Sequence, residues 1–461
     1  MGGQESFDVA IIGAGVIGCA IARRFTLEGA RVIVFEKAPD VLDGASKGNS
    51  AILHTGFDAV PGSLEQACVA AGYQEYLEIH ERLGLPLIRS GALVVAWSED
   101  EEAQLTGLMD QARANGVDDV ELLTAEALAE REPHLSRGAR AGFSVPREVI
   151  IDPWSAPHAY MLQALANGAE LRRDCKVSAG RFEGGAWRLD TNSGVFRAGV
   201  AINAAGLYGD HVDEMLTGQR HFQIRPRKGQ FIVYDKPAAQ LVSRILLPVP
   251  SKITKGIVVC RTAFGNLLVG PTAEEQEDRE AADLVQEALT ALKARGEAII
   301  PALSGMDVTA IYAGLRPASE YKDYQVRIDS DLNLITVGAI RSTGLTSALG
   351  TARHVYELYR TFGQAHVPLS GPVWPKMAPI SECGERSWQQ PGNGGIVCHC
   401  EKVTLAEIEA VLAGPMAPQS LAGLKRRTRV TMGRCQGFYC TADLARITAG
   451  RLRHPMAGDG T

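Results

Sequence analysis

The spacing of apolar and polar residues changes character along the chain. Asp8–Ile12 is a short apolar run that ends in glycine, and it predicts a buried strand. Ile17–Glu28 carries its apolar residues at helical intervals, and Arg31–Phe35 is a second apolar run closed by Glu36. Strand, helix and strand within so few residues predict a βαβ unit at the start of the chain. From about Pro61 to Ala129 the periodicity is mostly helical, with one strand near Ala92–Trp97. Ala169–Ala205 reads as strands and turns, the last strand being Gly199–Asn203. Phe222–Tyr234 and Ile257–Gly270 read as strands, Glu275–Arg295 as a helix, Leu332–Val337 as a strand and Ser347–Phe362 as a helix. This mixture predicts an α/β fold. After Phe362 the periodicity fades. Ala365–Gly395 is rich in Pro, Gly and Ser and predicts a linker or an extended strap. Leu405–Leu412 and Ser420–Arg426 then predict two helices of a small module, and Arg446–Thr461 a frayed tail.

A length of 461 residues exceeds one small core and predicts two or three domains. The 46% hydrophobic and 22% charged fractions are those of a soluble globular protein. A formal net charge of −6 argues against a general nucleic-acid binder. No apolar run approaches the roughly 18–20 residues of a membrane helix, which leaves peripheral membrane contact open. Met1–Asp8 has neither a basic start nor an apolar stretch, so no signal peptide is expected. A cytoplasmic location follows, where thiols stay reduced. Cys19, Cys68, Cys175, Cys260 and Cys383 are scattered and read as small buried hydrophobes.

Two patterns carry chemistry. Gly13-x-Gly15-x-x-Gly18 lies between the first strand and the first helix. The first glycine permits a tight turn, the second lets backbone approach a pyrophosphate, and the third lets helix and strand pack closely. The helix N-terminus offers unpaired N–H groups to the phosphates. Glu36 ends the second strand, where a carboxylate can accept hydrogen bonds from a ribose diol; a 2′-phosphate would call for a basic residue, so NADP is not expected. A tight βα turn with purely structural glycines would leave the same spacing. The second pattern is Cys398-His-Cys400 and Cys435-Gln-Gly-Phe-Tyr-Cys440. Four thiolates suit an iron–sulfur cluster or a structural zinc, and zinc modules more often space their ligands as C-x2-C. A Rieske centre needs two histidines, and only His399 is at hand. Lys425, Arg426, Arg427, Arg429 and Arg434 flank the cysteines. They could offset cluster charge, dock an acidic electron acceptor, or simply form a solvated basic face.

Further stretches carry a resemblance. Asn49-Ser50-Ala-Ile-Leu-His54-Thr-Gly-Phe with Pro61-Gly-Ser63, Asn203-Ala-Ala205-Gly206-Leu-Tyr-Gly-Asp210, Ala313-Gly-Leu-Arg316-Pro and Gly338-Ala-Ile-Arg341-Ser-Thr-Gly344-Leu345-Thr346 follow the fingerprint in order. Together, over residues 6–362, they resemble the D-amino-acid-oxidase-type FAD superfamily. Within it they are most similar to anaerobic-type glycerol-3-phosphate dehydrogenases and L-2-hydroxyglutarate dehydrogenases. The cysteine module, over about 394–445, resembles the bacterioferritin-associated-ferredoxin-like domain. That resemblance implies a [2Fe–2S] cluster on Cys398, Cys400, Cys435 and Cys440.

The resemblance implies a Rossmann-like FAD-binding domain of about residues 6–80, 145–220 and 310–365. It is interleaved with an α+β substrate domain of about 81–144 and 221–309. A linker at 366–393 leads to the small helical iron–sulfur domain. FAD, bound non-covalently, would be held by Gly13, Gly15, Gly18, Glu36, the segment with Asn49 and Ser50, the turn with Ala205 and Gly206, and the late segment with Gly338, Arg341, Gly344, Leu345 and Thr346. A substrate lying on the flavin would give a hydride to N5. His54 is the candidate base. Arg316 and Arg341 could clamp a carboxylate or phosphate. Lys228 could contact flavin or substrate. Each has a plain alternative: a histidine bonded to backbone, structural ion pairs, a solvated turn lysine. One departure stands out: where the family often has a histidine before its Gly-Asn, this chain has Phe264. That puts glycerol 3-phosphate in doubt, since a larger, less polar wall could face the substrate, with Arg261 supplying charge nearby.

The expected activity is thus an FAD-dependent dehydrogenase for a small anionic 2-hydroxy acid or polyol phosphate. Electrons would leave through the cluster to a partner subunit, an electron carrier or a quinone, within a hetero-oligomer. An amine or imino-acid dehydrogenase of the same build, or an electron-transfer subunit of a larger complex, are the alternatives.

Overall fold

The computed structural model describes residues 6–250 and 256–456. Met1–Glu5, which belong to the N-terminal stretch named above, lie outside them, as does the end of the tail.

From the N-terminus the chain forms β1 (Ser6–Ile12), α1 (Val16–Leu27), β2 (Val32–Phe35), α2 (Leu64–Leu83), β3 (Ala92–Ala96), β4 (Ala141–Val145), α3 (Ser155–Ala166) and β5 (Gly194–Asn203). It continues with β6 (Ile224–Tyr234), β7 (Val258–Arg261), β8 (Leu267–Gly270), β9 (Val308–Ser319), β10 (Leu334–Gly338) and α4 (Gly344–Tyr359).

Two sheets divide these strands. β1 pairs in parallel with β2 and β5, and β5 with β10, within an eight-stranded sheet. Val9, Ile11, Val32 and Val34 are buried there against Ile21 and Phe25 of α1. The register sets Phe35 beside Ile12, Ile12 beside Asn203, and Asn203 beside Thr336. The carboxyl ends of four strands therefore stop on one line, the crevice where open α/β sheets bind ligands. The second sheet has nine strands, among them β3, β4 and β6–β9. β9 pairs with β6 from Val308 to Ser319, so this sheet runs past residue 310, where the third FAD-binding segment was expected to begin.

Close packing of α2 on α4 requires small residues: a Cβ on Gly72 would lie 2.1 Å from Thr346 O, and one on Gly350 2.1 Å from Cys68 O. The helix expected over Glu275–Arg295 starts only at Gln286 and runs to Ile299. Upstream, Asp278 accepts from the N–H groups of Glu280 and Ala281, and this side-chain turn displaces the helical one.

The segment 364–395 is an extended strap. Leu369 N–H donates to Leu27 O, Met377 N–H to Leu83 O and Glu382 N–H to Ala263 O. It leads to a module with α5 (Leu405–Ala413), α6 (Leu421–Thr428) and α7 (Thr441–Thr448) around Val403, Ile408, Leu424 and Leu444. Thr404 and Glu407 form a reciprocal capping box on α5. Arg446 lies within α7 rather than in a frayed tail, and beyond it Arg453 and His454 reach Asp174. No helix among the described residues is long and apolar enough to cross a membrane.

Candidate active site and cysteine centre

The turn after β1 is built by exclusion. Gly13 adopts φ +108, and a Cβ there would lie 2.5 Å from Ala204 O. A Cβ on Gly18 would lie 1.9 Å from Gly13 O. Only Ser46 Oγ approaches the Cβ direction of Gly15, so that flank is open to a ligand. No side chain caps α1 from Gly15, which leaves the helix N-terminus with donors to offer. Glu36 Oε2 accepts from Ala14 N–H at 2.8 Å and Oε1 from Ala38 N–H at 2.9 Å. Burial raises its pKa, and those two N–H groups oppose the shift. Gly206, at φ +55 with open space at its Cβ position, lies just past the end of β5. Gly338 serves packing instead, since a Cβ there would strike the Phe222 ring at 2.3 Å.

A second segment crosses beneath this crevice. Asn49 Oδ1 accepts from Ala51 N–H, which holds Ala51 at φ +62, and Ser50 lies half-buried between them. His54 N–H donates to Thr346 Oγ1 at 3.0 Å, and Thr346 in turn donates to Ile52 O, which fixes the segment to the first turn of α4 beside Gly344 and Leu345. His54 Nδ1 meets Glu148 Oε2 at 2.8 Å. Glu148 is fully buried, and its Oε1 accepts from Thr55 N–H and Thr55 Oγ. An ionised carboxylate can only accept, which selects the imidazole tautomer with its proton on Nδ1. Sequence reasoning missed Glu148. It lies 94 residues from His54 and outside every motif, and nothing local announces it.

β9 covers the same segment. Tyr312 OH donates to Asn49 O, Gly314 abuts Gly48, and Arg316 follows on the same face by strand alternation. Arg316 Nη2 donates to Thr272 O at 2.7 Å. Gly229 makes room for it, since a Cβ there would lie 2.1 Å from that nitrogen. Among the described residues no carboxylate is within ion-pair distance of Arg316. Burial, then repulsion from Arg227 directly across on β6, lowers its pKa to about 10. The next residue on β6, Lys228, points to the opposite face. It is buried there, with Nζ on Asp283 O at 2.9 Å and 3.2 Å from Glu274. Alternation thus separates Lys228 from Arg316. Arg341 pairs with Glu65 at 2.8 Å, and Thr343 donates to the same carboxylate.

Two expectations are corrected. Phe264 was expected as a wall toward the substrate. Its ring is instead stacked on Trp154 at 5.4 Å and lies under the Arg429 guanidinium at 3.8 Å. Arg261 is exposed on the same hairpin. The basic run was weighed as a surface for an acceptor. Arg426 and Arg429 are buried instead, paired with Asp43 and Glu401, and Arg434 pairs with Asp235. The apolar rest of α6 pulls the run inward, where acids wait for it. What the module exposes beside its cysteines is Phe438, Tyr439 and the Arg434 side chain.

The four cysteines pair across the sequence. Cys400 lies beside Cys435, and Cys440 beside Cys398. Backbone N–H groups, that of Tyr439 foremost, lower the pKa of Cys435. Burial, and then the neighbouring Cys398, raise that of Cys440 to about 12. Among the described residues no three His, Cys, Asp or Glu side chains converge as a single metal ion requires. Two pairs of thiolates fit a centre with two irons, each held by two, better than one tetrahedral zinc.

Comparison with known proteins agrees with this geometry. Residues 8–358 match the model of the family described as FAD dependent oxidoreductase, DAO, and residues 396–449 that of the BFD-like [2Fe-2S] binding domain. The chain is 32% identical to a glycerol 3-phosphate dehydrogenase of Caloramator mitchellensis over 455 residues, 97% of this chain and 94% of that one. It is 24% identical to a subunit of the anaerobic glycerol-3-phosphate dehydrogenase of Escherichia coli, over 96% of this chain and 88% of that one. Its structure is similar to dithionite-reduced L-alpha-glycerophosphate oxidase of Mycoplasma pneumoniae with FAD bound, at TM-score 0.75 and 28% identity, over 80% of this chain and 98% of that one.

Proposed function

From the premise that the chain belongs to the FAD dependent oxidoreductase family, DAO, and carries a BFD-like [2Fe-2S] binding domain, we propose that it oxidises glycerol 3-phosphate or a closely similar small hydroxy anion. It is an FAD-dependent dehydrogenase whose electrons leave through the iron–sulfur domain. FAD, when bound, takes a hydride at N5, and the cluster carries the electrons onward singly. Gly15, Glu36 and Gly206 would hold the adenosine diphosphate half of FAD, and Asn49, Leu345 and Thr346 the flavin. Cys398, Cys400, Cys435 and Cys440 would hold the cluster.

The observation that carries the substrate class is the half-buried Arg316 cation, without a carboxylate partner among the described residues, on the strand face that covers the His54 segment. A cation partly withdrawn from water in this way is stabilised by a bound anion. His54 takes the hydroxyl proton on Nε2. Glu148 accepts a hydrogen bond from Nδ1–H and steadies the imidazolium that results. Arg341 is committed to Glu65 and supports the late loop. Lys228 does the same for the irregular segment before Gln286. The Escherichia coli relative is named as one subunit of its enzyme, which supports a place in a multisubunit assembly. In this reading the chain acts in the cytoplasm and delivers electrons to another protein or carrier.

Anaerobic mixing of the FAD-loaded protein with glycerol 3-phosphate, L-2-hydroxyglutarate and amino acids tests the reading. Glycerol 3-phosphate should bleach the flavin fastest. Bleaching by amino acids alone, or by nothing, would overturn it.

A further inference from the structure

A line of contacts joins the dinucleotide turn to the cysteines. Val16 N–H, at the start of α1, donates to Ser46 Oγ at 3.0 Å. Asn49 Nδ2 donates to Ser46 O, and Trp154 Nε1 donates to the next carbonyl, Lys47 O, at 3.2 Å. The backbone that carries Trp154 is held by Asp152, which accepts from the backbone N–H groups of Trp154 and Ser155. The Trp154 indole stacks on Phe264 with the ring planes 17° apart. Phe264 is buried at the tip of the β7–β8 hairpin, where Gly265 at φ +80 tightens the turn. Over its ring lies the guanidinium of Arg429. Arg429 Nε and Nη2 both reach Glu401 at 2.9 Å, and Glu401 adjoins Cys400.

Arg429 is an expensive residue to place this way. It ends α6 in the left-handed region, at φ +70, which disfavours any residue with a side chain. It is also buried, where a cation needs partners. Glu401 supplies one from the module, and the electron-rich face of Phe264 supplies the other from the flavin-binding body. A histidine at position 264 would offer a weaker face, and a repelling one when protonated. The aromatic departure at 264 is thus matched to the arginine of a second domain.

We infer that Trp154 and Phe264 are the seat that holds the iron–sulfur module in register with the flavin site, making them positioning residues for passage of electrons between the two. The inference rests on the redox roles proposed above. Each hydride brings two electrons, and a [2Fe–2S] centre accepts one at a time as one ferric iron becomes ferrous, so both must cross this joint in turn. Other cross-domain contacts also fasten the module, among them Ser420 and Gln419 on Asp40, Arg426 on Asp43, Arg434 on Asp235, Lys236 on Glu401 and Gln436 on Thr309 O, but none of them stacks on Trp154 or Phe264.

The test uses the full chain with both cofactors. In Phe264→Leu, FAD content, iron content and the rate of flavin bleaching should match the parent. The appearance of the reduced-cluster paramagnetic signal after bleaching should slow about 10-fold to 100-fold, the scale on which an ångström of misplacement acts. Phe264→Tyr should restore the rate. A readout independent of turnover is limited proteolysis of the strap at 364–395, which should quicken in Phe264→Leu and not in Phe264→Tyr. Trp154→Leu, farther from the cysteines, should reproduce both effects even if Phe264→Leu loses its iron. Cluster reduction in step with the flavin in both leucine variants, with parental proteolysis, would overturn the inference. Photoreduction of the flavin with light and EDTA starts the same transfer without substrate. Failure of every substrate therefore counts against the proposed function alone.

Discussion

At the residue scale, the site depends on how two charges are managed inside the protein. Glu148 has no solvent and three donors, Thr55 N–H, Thr55 Oγ and His54 Nδ1. Glu148→Gln keeps the size but puts a donor where an acceptor is needed, leaving His54 free to turn. Flavin reduction under anaerobic stopped flow should fall about 10-fold to 100-fold with FAD still bound. His54→Gln should cost more, about 100-fold to 10,000-fold, as loss of a general base does. Arg316 gives a pH prediction whose sign follows from its cause. Burial and Arg227 hold its pKa at about 10, so it is a cation below that pH and neutral above it. Anion binding is intact below pH 10 and weakens as pH rises through that value. KM for the anionic substrate should therefore climb above pH 10 ahead of any change in kcat. Parallel loss of both would point elsewhere. His54 and Arg316 were visible in the sequence because they sit in ordered motifs. Glu148 and Arg227 were not, because only folding brings a remote carboxylate and a cross-strand arginine to them.

At the scale of elements, local pattern worked where burial and periodicity agree. β1, α1 and β2 emerge within a residue or two of expectation, since continuous apolar runs and a helical stripe must be buried. Glu275–Arg295 misled because its first half is nearly all charged or small. Asp278 there closes a side-chain turn, and Arg279 leaves the segment to pair with Asp210. The strap was legible as irregular, but not the path it takes across Leu27, Leu83 and Ala263. The glycine turn makes a firm prediction. Gly18→Ala would set a Cβ 1.9 Å from Gly13 O and force α1 off β1. Overpacking of this kind costs about 1–3 kcal/mol. The purified variant should carry little FAD, and its melting temperature should fall. FAD retained at parental stoichiometry would contradict the packing argument.

At the scale of the whole molecule, two cofactor sites meet across one seam. Arg426 and Arg429 of the basic run are buried against Asp43 and Glu401, and beside the cysteines the module exposes Phe438 and Tyr439 with Arg434. Cys435→Ser should remove one half of a crossed thiolate pair and abolish the cluster signal. Substrate should still bleach the flavin, but electrons should no longer reach an acceptor served by the module. A cluster spectrum unchanged in that variant would refute the ligand set. The sequence by itself determined the βαβ entry, the order of the flavin motifs and the four cysteines. These are local patterns, and a short stretch of chain needs no distant partner to display them. Tertiary structure alone decided that Glu148 orients His54, that Lys228 and Arg316 lie on opposite faces of a sheet, that the cysteines pair crosswise, and that Phe264 seats the module. Each of these depends on register and docking between segments far apart in the chain, and those are fixed only when burial and charge are satisfied over the whole molecule at once.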